Sequence, residues 1–112
     1  MNDLLNIETR NDFPAFLNKC GLTGTGAEVG VQEGVFSEHI LKKWKGSNLF
    51  SIDAWQNFDA SEYIDIANRT DDKQILLYAS TTLRLRSFGE RSIVWRMTSE
   101  QAADAMPDNT LD

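Results

Sequence analysis

Three times along this 112-residue chain, a short apolar run gives way to a stretch whose apolar residues recur at helical spacing. That alternation constrains the fold more than any other feature. The runs are Ala27-Glu28-Val29-Gly30-Val31, Leu49-Phe50-Ser51-Ile52-Asp53 and Ser92-Ile93-Val94-Trp95-Arg96. Strands separated by helices cannot pair as tight hairpins. They pair in parallel, with right-handed crossovers that lay the helices against the sheet. Apolar strands of this kind suit a sheet covered on both faces. The expected fold class is therefore α/β.

The punctuation fits. An opening helix is expected to begin near Asn11 or Asp12, either of which can cap a first turn, with Pro14 tolerated there. Phe13, Phe16 and Leu17 form its apolar stripe, and Gly21 ends it. A second helix runs from Gly34 or Val35 to Trp44, with Phe36, Ile40, Leu41 and Trp44 on one face and Gly46 as its stop. Lys42, Lys43 and Lys45 sit where cations favour the negative end of the helix dipole. A third is expected from about Asp71 to Phe88, with Leu76, Ala79, Leu83 and Phe88 as core positions. Thr98 opens a fourth, with Gln101 placed for a capping box. Thr110-Leu111-Asp112 reads as the start of a fourth strand. Between Trp55 and Thr70 lies a long loop rich in Asp, Asn and aromatics, of a length that is often functional.

Composition narrows the function classes. The net charge of −6 disfavours phosphate-backbone binding and anionic membrane surfaces. One cysteine, Cys20, excludes an internal disulfide and is expected to act as a small buried hydrophobe. No apolar run approaches the ~20 residues that span a bilayer, and Met1 to Arg10 do not resemble a secretory signal. A cytoplasmic location is expected. His39, the sole histidine, reads as a solvated helix residue. Asp59, Glu62, Asp65, Asp71 and Asp72 lack the spacing of a calcium loop, so no metal site is expected.

The chemistry concentrates in Glu28-Val29-Gly30-Val31-Gln32-Glu33-Gly34, at the junction of the first strand and its helix. Glycine there permits unusual backbone angles and close approach of a ligand, and the helix start offers free N–H groups. Asp53 closes the second strand, where an acid can accept hydrogen bonds from both hydroxyls of a ribose. Gly30-x-x-x-Gly34 lacks one glycine of the dinucleotide pattern, and no Walker loop is present. Glu28 would repel a pyrophosphate but would favour an ammonium group.

These segments resemble class I S-adenosylmethionine-dependent methyltransferases. Ala27 to Ser37 resembles their first motif, Leu49 to Trp55 the second, and Arg96 to Ala103 the third. Asp108 to Asp112 is similar to the lead-in of strand four. The nearest branch is the small-molecule or sugar O-methyltransferase-like one with a Trp after the strand-two acid. The resemblance covers about residues 22–112 and leaves 1–21 as an N-terminal helical segment. It implies an incomplete doubly wound Rossmann-like parallel sheet, strands ordered 3-2-1, with helices on both faces and a chain truncated at the start of strand four. It implies S-adenosyl-L-methionine as cofactor and a small-molecule methyl acceptor. Carried over, Glu28, Gly30 and Gly34 line the methionine part, Asp53 the ribose, Trp55 or Ala54 the adenine side, and Thr98 and Ser99 the adenine edge. Val31 is counted with them, although Val31-Gln32-Glu33 stands where the family often has a middle glycine. The family's acceptor-orienting residues follow strand four. No catalytic residue is thus assigned, and this chain alone is expected to transfer no methyl group. The uncovered first strand is an expected edge for self-association. The alternative reading is a non-catalytic nucleoside-binding or interaction module completed by a partner chain. A nicotinamide-dependent oxidoreductase fragment is disfavoured by the glycine pattern.

Overall fold

The computed structural model describes residues 9–56, 71–108, 110 and 111. A 3-10 turn, Arg10–Asp12, leads into α1 (Phe13–Lys19), followed by β1 (Thr25–Val29), α2 (Val35–Lys43), β2 (Asn48–Asp53) and α3 (Asp71–Leu85). A second 3-10 segment, Arg86–Arg91, then leads to β3 (Ser92–Arg96) and α4 (Ser99–Ala105). The fold is α/β. The strands form one open parallel sheet in the order β1-β2-β3, with Glu28 opposite Ser51 and Ser51 opposite Val94.

Local chemistry accounts for the boundaries. Thr9 caps the opening turn in a reciprocal box with Asp12, so the chain is already turning before Asn11. Thr98 and Gln101 form the expected capping box at α4. β1 starts two residues earlier than expected and releases Gly30 and Val31, because Gly30 takes a left-handed φ of 83° that no strand accommodates. Thr110 and Leu111 join no strand of the described sheet.

Alternation along the strands divides the sheet's faces. Gly26, Glu28, Leu49, Ser51 and Val94 face α2 and α3, where Ile40, Leu41, Trp44, Leu49 and Leu85 form the core cluster. Leu17 of α1 and Phe36 of α2 pack against it. Ile52 points the other way and is buried; α4 packs on β2, and its Ala102 is buried as well. Phe50 and Trp95 meet edge-on at 4.6 Å on that face. Val29, at the edge of the described sheet, remains 61% exposed.

Two expectations need correction. Leu76, Ala79 and Leu83 are not core; all three are exposed, the two leucines by 65% and 64%, and the inward stripe of α3 is instead Gln74, Thr81 and Leu85. The stripe keeps helical spacing, and its Thr81 is polar because its hydroxyl meets the Gln32 carbonyl. Cys20 is exposed, since α1 ends at Lys19 and the following turn faces solvent.

The corner between α2 and β2 is organised by Trp44. Its indole N–H donates to Leu22 O at 2.8 Å, and its ring lies so close to Gly46 that a Cβ there would fall 1.9 Å from Cζ2. Gly46 is therefore required by contact with an aromatic ring; the helix itself already ends at Lys43, with Trp44 in an extended conformation.

Candidate functional site

β1 and β2 end side by side, with Gly30 N–H still donating to Ile52 O at 2.9 Å. The chain then reverses through three left-handed residues: Gly30 (φ 83°), Gln32 (φ 56°) and Gly34 (φ 83°). The two glycines differ. A Cβ on Gly30 would meet nothing within 4 Å, so its outer side is open to a ligand. A Cβ on Gly34, the residue before α2, would lie 3.0 Å from Thr81 Cγ2. Gly34→Ala is therefore expected to cost about 2 kcal/mol, the left-handed penalty plus the clash, and Gly30→Ala about 1 kcal/mol. Thermal melts of the two variants check this ranking.

Gln32 carries a side chain in the left-handed region and is held there. Its N–H donates to Asp53 Oδ2 at 2.9 Å, while its carbonyl accepts from Trp55 Nε1 and Thr81 Oγ1, both at 2.7 Å. The other Asp53 oxygen accepts Trp55 N–H at 2.9 Å. Arg84 Nε donates to the next carbonyl, Glu33 O, at 3.1 Å. From β3, Arg96 donates to Trp55 O at 3.4 Å and lies over the Tyr78 ring.

Glu28 stands on the same sheet face as Ser51 and, two residues on, Asp53. Ser37 of α2 donates to its Oε1, and Ser51 donates to Ser37 Oγ at 3.3 Å. Burial pushes the Glu28 carboxyl above its ordinary value. The Ser37 hydrogen bond and the Arg10 charge oppose this, and the Asp53 charge adds to it. Glu28 also lines an open, mainly apolar cleft of about 150 Å³ between α1 and α2, walled by Phe13, Leu17, Phe36 and Ile40.

Glu28 and Asp53 thus lie on one sheet face toward the C-terminal ends of β1 and β2, with Gly30 just beyond β1; the cleft that Glu28 lines is walled by neither Gly30 nor Asp53. No family model, curated protein or solved structure matches the chain.

The remaining sequence candidates take other places. Trp55 is 1% exposed beneath the loop, so its ring presents no stacking surface to an adenine; burial of the indole on Tyr78 is the reason. Ala54 is half-buried beside it. The Val31 side chain is also buried, leaving only its backbone at the loop. The Thr98 hydroxyl accepts Gln101 N–H at 3.1 Å as a helix cap, and Ser99 begins α4 at the end of β3. Sequence reasoning missed Gln32, Ser37, Thr81 and Arg84. Ser37 closes the quoted first motif and so had a signal. Thr81 had none, since a threonine within a helix carries no local mark. Among the described residues no group of three or more His, Cys, Asp or Glu side chains could hold a metal, and no helix is long and apolar enough to cross a membrane. Asp59, Glu62 and Asp65 of the acidic loop lie outside the described residues.

Proposed function

We propose that the ends of β1 and β2 bind S-adenosyl-L-methionine in a methyltransferase of the class I type acting on a small-molecule acceptor. The observation that carries this reading is the pair of carboxylates, Glu28 and Asp53, on one sheet face near strand ends where the outer side of Gly30 is unobstructed.

The donor and acceptor set fits that group. A carboxylate has about four lone-pair directions, and two of Asp53's are taken by loop amides; two remain for a vicinal diol. Glu28 has one oxygen engaged by Ser37, and its charge suits an ammonium group. The bare outer side of Gly30 admits close approach to the backbone. When bound, the cofactor supplies a sulfonium-activated methyl group for attack by an acceptor nucleophile. The chain's own residues bind and orient; for such a transfer, alignment and exclusion of water are the main protein contributions.

Calorimetry with S-adenosylhomocysteine and with NAD tests the reading. Binding of the first and not the second is expected; preference for NAD, or no binding of S-adenosylhomocysteine, would reject it.

Glu28→Gln gives a two-sided prediction. The raised carboxyl means that the folded chain holds this proton more tightly than the unfolded chain. Stability then falls as pH rises from the ordinary value of 4.5 through the raised one. The variant lacks that loss. It should melt higher than the parent at pH 7, with the difference vanishing below 4.5. Its affinity for S-adenosylhomocysteine should drop roughly 10- to 100-fold, the worth of one charge-assisted hydrogen bond. Melting curves across pH and calorimetry at pH 7 check the two halves.

A further inference from the structure

We infer that Trp55 and Thr81 are positioning residues that shape the β1–α2 loop for its ligand through one shared atom, the carbonyl oxygen of Gln32. This rests on the cofactor reading above for the ligand's identity, but not for the geometry.

Both polar groups of Gln32's backbone are satisfied by side chains from elsewhere in the fold. Its N–H goes to Asp53, and the two lone pairs of its carbonyl take the Trp55 indole N–H and the Thr81 hydroxyl. Both donors are buried, Thr81 completely. The Thr81 hydroxyl has a single proton and lies 2.8 Å from Leu77 O as well as 2.7 Å from Gln32 O. The Leu77 carbonyl is already the acceptor of the helix's own bond from residue 81. The Gln32 carbonyl has no helical partner, so the proton matters there.

Trp55 is fixed in turn. Its N–H is held by Asp53, its carbonyl by Arg96, and its ring lies 5.0 Å from that of Tyr78. The donors are therefore rigid, and the carbonyl they share pins a left-handed residue midway between Gly30 and Gly34. Released, Gln32 would relax toward the right-handed region, and the opening beside Gly30 would lose its shape.

Thr81→Val removes one donor with little change in volume, Trp55→Phe removes the other together with the second ring of a buried indole, and Thr81→Ser keeps the hydroxyl, so the Thr81 pair isolates the hydrogen bond from packing. Amide hydrogen exchange at Gln32 and Trp55, followed by NMR without ligand, reads the clamp directly. Each single variant should exchange about tenfold faster at both amides and bind S-adenosylhomocysteine about tenfold more weakly. The double variant should lose more than the product of the singles, because only then is the carbonyl orphaned. Thr81→Ser should restore parental exchange. Unchanged exchange in both single variants, or failure of Thr81→Ser to restore it, overturns the inference. Faster exchange in variants of a chain that binds no S-adenosylhomocysteine supports the clamp and rejects the cofactor reading alone.

Discussion

Asp53→Ala is expected to cost about 3 kcal/mol of unfolding free energy and to abolish binding of S-adenosylhomocysteine. The carboxylate accepts two backbone N–H groups, from Gln32 and Trp55, on its two oxygens. Hydrogen bonds to an ionised group contribute about 1.5–3 kcal/mol each, and truncation leaves both amides without that partner. Two left-handed residues depend on it, Gln32 at φ 56° and Trp55 at φ 43°. Asp53→Asn separates fold from ligand. Its amide oxygen keeps one of the two bonds, but its NH₂ faces an N–H. Roughly half the stability loss should remain, while affinity for a diol falls almost as far as in the alanine variant. Urea unfolding followed by tryptophan fluorescence gives the first quantity, and calorimetry the second. A loss below about 1 kcal/mol for Asp53→Ala would show that the loop does not need this anchor.

Arg91→Met is expected to cost a similar amount, about 3 kcal/mol, with no direct effect on the ligand opening. Arg91 directs three donors at three carbonyls: Nε to Gly46 O at 3.1 Å, Nη1 to Leu41 O at 3.0 Å and Nη2 to Trp44 O at 2.9 Å. These carbonyls belong to the end of α2 and the turn after it, where a helix leaves acceptors without internal partners. A guanidinium is suited to this because its donors are fixed in a plane and it complements the negative end of the helix. Methionine keeps the length and apolar stem but none of the donors. Arg91→Lys should recover only part of the loss, since an ammonium group cannot span the three acceptors. Chemical unfolding of the three proteins checks the order Arg, Lys, Met.

What the sequence revealed divides along a physical line. The parallel sheet follows from local patterning, since apolar runs, caps and glycine stops all lie within a few residues of what they control; the strand order came only with the resemblance, because which strands are neighbours is not a local property. Thr98 and Gln101 show this, as a box read from spacing and found in place. The positions of Glu28 within β1 and Asp53 at the end of β2 were also legible, but that they share a face depends on the register between the strands, which is not local. Trp55 was harder. As an aromatic after an acid it suggested a stacking surface, but burial depends on Tyr78 and Gln32, from distant parts of the chain. The inner face of α3 was misread for the same reason. Leucines at helical spacing suggested the core stripe, while the true stripe places Thr81 inward because a carbonyl from another loop awaits it.

That distance along the chain bears on how the protein assembles. The bonds that shape the loop join residues 21, 23, 49 and 51 positions apart. Each requires closing a long segment before any energy is returned. A nascent chain carrying only β1 and α2 would have the glycines but none of the partners that bend them. The loop should therefore acquire its geometry late, after β2 and α3 have docked. A molecule that recognises the bent loop would then select fully folded chains over partly folded ones, and its binding energy would raise the barrier to their unfolding.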